Sequence, residues 1–243
     1  MLYLLAASSF IEIASDTYAA NLAEYFEGDP EVVAWLSGHW EKEEVQHGRA
    51  LRAYVNRVWP EFDWQAAYDG FFAEYSKLCT VDEFEPSRGL EMAARCVVET
   101  GTSTYYRAIY DLTEEPFLRQ LVTHIRSDEV RHYKHFYRYF NRYNDIERNS
   151  RRRVAGTIGR RLVEARKSDA EIGLWHAFNH CHPNEARDGK AFADLLTRVN
   201  RRVRRSYPIP QAVKMLLKPL RLPSMFASIH MPIAFVVRCF ILR

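Results

Sequence analysis

Helical spacing of apolar side chains dominates the first 150 residues of this 243-residue chain. Gly and Pro number only ten each, and long stretches lack both, which favours helices over strands. Apolar positions recur every three or four residues, as in helices that bury one stripe. We therefore predict an all-α fold with four long helices, at residues 2–26, 31–58, 87–111 and 116–143.

Two turns divide these helices into hairpins. Gly28-Asp29-Pro30 separates the first two helices, and Pro30 suits the first position of the second. Residues 113–116, Thr-Glu-Glu-Pro, resemble a start signal for the fourth helix. The segment between the hairpins contains a short predicted helix at 64–77.

Charged residues interrupt two of the apolar stripes. The predicted stripe of the second helix is Val33, Leu36, Trp40, Glu44, His47, Leu51 and Val55, and that of the fourth is Leu118, Leu121, Val122, Ile125, Glu129, His132, Phe136 and Phe140. A carboxylate on a buried stripe is unfavourable unless it is paired or bound to a metal ion. Glu44 and Glu129 therefore need a partner inside the fold.

The same arrangement of ligand-type residues occurs twice. Glu12 precedes Glu44-Val-Gln-His47 by 32 residues, and Glu99 precedes Glu129-Val-Arg-His132 by 30. In each set the lone glutamate and the motif are equally distant from the intervening turn, at roughly 22–24 Å for a rise of ~1.5 Å per residue. An antiparallel hairpin therefore brings each set to one level, and two hairpins side by side place all six side chains in one layer.

Four glutamates and two histidines in one layer suit two iron ions. Two Fe(II) ions carry four positive charges, which four glutamates cancel, and oxygen and imidazole ligands favour iron, with manganese as an alternative in one position. We predict that Glu44 and Glu129 bridge the ions. Glu12 and His47 would complete one iron, Glu99 and His132 would complete the other, and O2 would occupy open positions. The alternative is two core histidines near surface glutamates, without metal.

The residues of these motifs resemble the ferritin-like superfamily of diiron proteins and, within it, the soluble acyl-[acyl-carrier-protein] desaturases. The family's second-helix motif, W-x-x-E-E-N-R-H-G, matches here at Trp40, Glu43, Glu44, His47 and Gly48. The fourth-helix motif, D-E-K-R-H, matches residues 128–132 at four of five positions. The resemblance covers residues 5–145 and implies a ferritin-like four-helix bundle.

The resemblance also implies an activity. Such an enzyme takes electrons from an external donor such as ferredoxin and uses O2 to desaturate or oxygenate a fatty-acyl or similar apolar substrate, often carrier-bound. Thr102, three residues after Glu99, is implied as a catalytic residue that positions or protonates oxygen intermediates. A cytoplasmic homodimer is expected. Candidates to line an apolar tunnel are Val98, Tyr106, Ile125 and Phe136.

Other functions remain open at this point. Another diiron oxygenase, such as an N-oxygenase or an aldehyde-deformylating oxygenase, would use the same ligands. A ferritin-like protein that stores iron or detoxifies peroxide would also use them, although the sequence lacks the CxxC-type iron domain of self-reducing rubrerythrins. A metal-free helical scaffold is the third possibility.

The charge of the chain changes sign near residue 150. Residues 150–243 hold 19 Lys/Arg and 6 Asp/Glu, whereas residues 1–149 hold 15 and 25. We predict a bundle domain at 1–149 and a basic helical extension at 150–243, with helices at 151–167, 186–205 and 211–218. Its basic surface would suit an acidic acyl carrier protein, nucleic acid or anionic lipid, or would simply be solvated.

Three smaller features complete the sequence. The four cysteines are widely spaced, which indicates a reducing compartment without a disulfide framework. Neither a signal peptide nor an apolar run of transmembrane length is expected, and the apolar tract at 229–242 is interpreted as a packed tail or an interfacial helix. His176 and His180 have a spacing that can bind zinc, with His182 and Cys181 beside them, or they hydrogen-bond at a helix end.

Overall fold

The protein is helical throughout the residues that the structure describes. The computed structural model describes residues 1–79, 84–164, 169–185, 189–226 and 228–241, and every regular element in these ranges is a helix, which confirms the all-α class. The α-helices are α1 (Leu2–Ile13), α2 (Ser15–Tyr25), α3 (Pro30–Trp35), α4 (Glu41–Val58), α5 (Trp64–Tyr75), α6 (Arg88–Leu112), α7 (Pro116–Glu147), α8 (Arg151–Glu164), α9 (Asp169–Cys181), α10 (Lys190–Ser206), α11 (Ile209–Leu217) and α12 (His230–Ile241). A π-helical segment, Leu36–Trp40, joins α3 to α4, and 3-10 turns occupy Lys218–Leu220 and Ser224–Phe226.

The chain divides into two compact units. The first unit comprises Met1–Glu83 and Ala165–Val199, and the second comprises Phe84–Glu164 and Asn200–Arg243. Each unit therefore takes residues from both sides of position 149/150, where the sequence predicts a domain boundary. That boundary stays a prediction.

The first unit is built on α1 and α4, which pack against each other, with α9 on α1 and α5 on α9. The predicted helix at 2–26 is interrupted at Ala14, so α1 and α2 are separate. The Ser15 hydroxyl donates a hydrogen bond of 2.7 Å to the Glu12 carbonyl. This side-chain bond to the preceding turn competes with the backbone ladder, which accounts for the break at Ala14.

A π-helical segment lies one turn before the Glu-x-x-His motif of α4. The predicted turn before α3 is present, with Gly28 at φ +89° and the Asp29 side chain accepting a hydrogen bond from the Val32 amide. A π-turn holds one more residue than an α-turn and changes which side chains face inward. Accordingly Val32 is fully buried, whereas the predicted stripe residue Val33 is only partly buried.

The second unit is built on the hairpin of α6 and α7, with α8 and α11 packed on α6. Both helices begin with side-chain caps: Ser87 accepts a hydrogen bond from the Leu90 amide, and Glu115 accepts bonds from the amides of Phe117 and Leu118. The buried residues of α7 follow the predicted stripe from Leu118 to Phe140, except that Leu121 is only partly buried.

The basic region forms helices close to the predicted ranges. The predicted ends at 165–167 and 186–188 lie outside the described residues, as does Leu242 of the apolar tract. None of the helices in the described part of the chain is both long and apolar enough to span a membrane. All four cysteines are free thiols.

Candidate metal centre

Glu12, Glu44 and His47 come together in the interior of the first unit. Glu12 lies on the last turn of α1, and Glu44 and His47 lie one turn apart on α4. All three residues are buried, and their ligand atoms lie within 4.8 Å of one another. Glu12 Oε2 is 3.9 Å from His47 Nδ1. The predicted register of this helix pair is therefore present.

A glycine allows α4 to approach α1 closely enough to form this triad. A Cβ atom on Gly48 would lie 2.6 Å from the backbone nitrogen of Ile13 and 3.0 Å from the Glu12 Cβ. Any side chain at position 48 would push the helices apart at the level of Glu12 and His47. Glycine at this position thus has a packing reason that the motif alone does not reveal.

Glu99, Glu129 and His132 form an equivalent triad in the second unit. Glu99 lies in the middle of α6, and Glu129 and His132 lie one turn apart on α7. Glu129 has no exposed surface, and the ligand atoms of the three residues lie within 4.8 Å of one another. His132 Nδ1 is 3.7 Å from Glu99 Oε2 and 4.0 Å from Glu129 Oε2.

Thr102 contacts this second triad directly. Its hydroxyl donates a hydrogen bond of 2.7 Å to Glu129 Oε2 and lies one helical turn after Glu99. Carbonyl oxygens of α6 are also near the hydroxyl, but at 3.3 and 3.4 Å. Since a hydroxyl has one proton to donate, the short bond to the carboxylate is the strongest of the three. Thr102 thus fixes one oxygen of Glu129.

Burial of the second triad destabilises any negative charge there that no cation neutralises. The pKa of Glu99 is raised from 4.5 to about 8, mainly by burial; the Glu129 charge also raises this pKa, and the His132 imidazole lowers it. Without a cation, the buried triad therefore favours a bound proton over full ionisation. A bound cation would favour the ionised carboxylate instead.

The geometry of both triads is compatible with a shared metal ion. The histidine–glutamate separations of 3.7 to 4.0 Å exceed the usual limit of about 3.2 Å for a hydrogen bond. Ligands of one transition-metal ion lie about 2.1 Å from it, so two of them are at most about 4.2 Å apart. Two carboxylates and a neutral imidazole would also balance the charge of one divalent ion.

A second set of buried charges in α6 shows the contrast. Glu91 has no exposed surface, yet its Oε1 lies 2.9 Å from Arg95 Nε and its Oε2 lies 3.8 Å from Arg161. Arg161 comes from α8, far away in sequence. Glu91 thus has permanent cations as neighbours, whereas Glu99, two turns along the same helix, faces an imidazole and a second carboxylate. The spacing of Glu91 and Arg95 is a signal that sequence analysis missed.

The structure does not assemble the predicted histidine cluster of α9. The three histidines of α9 and its end do not converge: His176 Nε2 lies 2.9 Å from Glu74, the Tyr3 hydroxyl lies 2.8 Å from His182 Nε2, and His180 packs against an aromatic ring. In the described part of the chain, no cluster of potential metal ligands includes these histidines.

Of the proposed tunnel residues, Tyr106, Ile125 and Phe136 are buried in the second unit. Val98 is 39% exposed, so its assignment to an enclosed tunnel was wrong. It lies beside Glu99 in sequence, but on the outward face of α6.

No protein-family model, curated protein or solved structure matches this chain. The two triads themselves are therefore the evidence for a metal centre.

Proposed function

We propose that this protein is a non-haem diiron oxidoreductase that uses O2 and an external electron donor to desaturate or oxygenate a fatty-acyl or similar apolar substrate. The observation that carries the proposal is the repeated triad. Each compact unit buries two glutamates and one histidine within 4.8 Å of one another. Carboxylates so deeply buried are unfavourable without a cation, and this mixture of oxygen and imidazole ligands suits iron.

The dinuclear arrangement is part of the proposal. Glu12, Glu44 and His47 would hold one iron, and Glu99, Glu129 and His132 the second, in a ferritin-like four-helix bundle with the glutamates of the two motifs as bridges. The matching spacing of the two triads along the chain supports this arrangement. When bound, a pair of irons supplies two-electron activation of O2.

The protein's own side chains would orient the metal ligands and keep water away from the site. The Thr102 hydroxyl donates a hydrogen bond of 2.7 Å to Glu129 Oε2, which helps to orient that carboxylate and places a proton donor beside it. Burial of both triads excludes water, so that a reactive oxidant would meet protein or substrate rather than solvent. The buried side chains of Tyr106, Ile125 and Phe136 in the second unit provide an apolar environment.

The proposed partners follow from the same reading. The free cysteines are far apart in sequence and form no cysteine-rich electron-transfer motif, so reducing equivalents would come from a separate ferredoxin-like protein. The basic residues after position 150 would suit an acidic acyl carrier protein. A cytoplasmic homodimer remains our expectation.

The test is turnover with isotopically labelled oxygen. Iron-loaded protein is incubated with ferredoxin, its reductase, 18O2 and a panel of free and carrier-bound acyl substrates, followed by mass spectrometry. Loss of two hydrogens indicates desaturation, and gain of 18O indicates oxygenation. Glu129→Ala should abolish both product and stoichiometric iron binding, whereas Glu114→Ala, an exposed glutamate before α7, should change neither.

Three results would contradict the proposal. Uptake of many irons per chain without substrate oxidation would indicate iron storage. Consumption of peroxide alone would indicate detoxification. If Glu129→Ala retained iron at wild-type stoichiometry, the assignment of Glu129 as an iron ligand would be wrong.

A further inference from the structure

The end of the chain carries positive charge without any negative charge. Asn200–Arg243, which belongs to the second unit, contains nine Lys/Arg and no Asp/Glu. Among these residues, Lys214 is exposed on α11 and Arg238 is exposed on α12. Such a segment attracts a negatively charged surface, and its attraction is strongest at low ionic strength.

One side of α12 is already covered. Ala234 is buried against Ile209 and Val213 of α11, and Ile233 and Val237 pack around the same cluster. This contact orients α12, because it fixes which of its faces turns inward. The face of α12 that lies away from α11 is therefore turned to solvent.

The displayed side of α12 is also apolar. Met231 is 56% exposed, Phe235 70% and Val236 51%, and the 3-10 turn before the helix exposes Met225 and Phe226. We call Met231, Phe235 and Val236 of α12 the apolar outer face. Large apolar side chains that are grouped and exposed in this way mark an interaction surface.

We propose that the apolar outer face inserts into the headgroup region of an anionic phospholipid bilayer. A helix apolar on its outer face, too short to span a bilayer and flanked by basic residues has the features of an interfacial anchor. Exposed arginine and lysine side chains at positions such as Lys214 and Arg238 would contact lipid phosphates. An anionic bilayer supplies both phosphates for these charges and an apolar layer for exposed side chains such as Phe235, so the combination favours lipid.

The test measures binding of the full chain to vesicles. Sedimentation with phosphatidylcholine vesicles containing about 30% phosphatidylglycerol should show binding that weakens with added salt, and pure phosphatidylcholine should bind much less. Phe235→Ser/Val236→Ser should reduce vesicle affinity by about tenfold or more, because two apolar side chains would no longer be buried in lipid. Lys214→Glu/Arg238→Glu should reduce it by a similar factor through lost attraction to anionic lipid.

Matched controls come from exposed residues elsewhere. Phe117 and Ile146 are 62% and 79% exposed on α7, so Phe117→Ser/Ile146→Ser removes comparable apolar surface outside the proposed face. Arg57→Glu reverses an exposed charge on α4. Both control proteins should bind vesicles like the wild type.

A spin label gives a second, direct readout. Cys239 is exposed on α12, and in a Cys79→Ser/Cys181→Ser background it can be labelled selectively, because Cys96 is buried. On anionic vesicles the label should become accessible to dissolved O2 and protected from a water-soluble nickel complex, as expected about 5–10 Å into the interface.

Several outcomes would overturn the inference. These are equal binding by Phe235→Ser/Val236→Ser, a label that stays water-accessible on vesicles, binding to an acidic carrier protein without vesicle binding, and self-association through this face without vesicle binding. None of them bears on the metal triads, so this proposal and the proposed function can fail separately.

Discussion

Replacing Glu99 with glutamine should stabilise the metal-free protein and destabilise the metal-loaded one. Burial raises the pKa of Glu99 from 4.5 to about 8, so the folded state binds more protons than the unfolded state between these values. The free energy of unfolding must then fall as pH rises through this window. Integrated from pH 4.5 to 7, the penalty is about 3 kcal/mol. Glutamine has the same shape and carries no charge, so it avoids this penalty.

With iron present the order should reverse. A ligand at 1,000 times its dissociation constant adds about 4.1 kcal/mol to the stability of the folded state, which exceeds the penalty of about 3 kcal/mol. Glu99→Gln loses a carboxylate from its triad and with it most of that gain. The assay is urea unfolding at pH 7, under anaerobic conditions, of wild type and variant with excess chelator or excess Fe(II).

Glu91→Gln is the matched control on the same helix. Glu91 is as deeply buried, but Arg95 lies 2.9 Å from it. Removing one charge of a buried pair leaves the other uncompensated, so this change should destabilise by about 3 kcal/mol with or without iron. If Glu99→Gln behaves like Glu91→Gln in chelator, Glu99 is a structural residue and the metal argument fails.

Further predictions concern Thr102, the pH profile and Gly48. Thr102→Val removes the hydrogen bond to Glu129 and should lower turnover at least about tenfold without changing iron stoichiometry. Thr102→Ser should restore turnover. Loss of iron in Thr102→Val would give Thr102 a purely structural role. Chelator-treated wild type should lose on the order of 1 kcal/mol of stability per pH unit between about pH 5 and 8, and Glu99→Gln should show a flatter profile in the same urea series; parallel profiles would assign the slope to other groups. Gly48→Ala should lower the free energy of unfolding by on the order of 2 kcal/mol in thermal denaturation, because its Cβ would meet Ile13 at 2.6 Å. Gly101→Ala, with open space around it, should raise the free energy of unfolding by up to about 1 kcal/mol. Equal effects would contradict the close approach of α1 and α4.

The positions of the long helices and of each triad could be predicted from sequence. Helical periodicity identifies which face of α7 is buried, and the symmetric distances from the turns place Glu129 and His132 level with Glu99. Both arguments use only the geometry of a regular helix and a short turn. The structure confirms them separately within each unit.

The irregular features could not be predicted. The break at Ala14 accompanies the Ser15 hydroxyl bond to Glu12, and the π-helical segment before α4 turns Val32 inward instead of Val33. Each of these features arises from local conformations close in energy to a regular helix. Periodicity does not distinguish between them.

Partners from distant parts of the chain were also beyond sequence reasoning. Arg161 approaches Glu91 from another helix, and the closeness of Gly48 to Ile13 depends on how α1 and α4 pack. A regular helix pattern specifies a face but not the residue that meets it. The outward position of Val98 is an error of the same kind.

Anaerobic Fe(II) titration combined with Mössbauer spectroscopy tests the central claim most directly. We predict saturation at two irons per chain, with spectra of a magnetically coupled pair. Glu44→Ala and Glu129→Ala should each prevent formation of that pair. Two uncoupled irons that are lost independently in these variants would show that the triads act as separate mononuclear sites, and absence of stoichiometric iron would contradict the metal centre altogether.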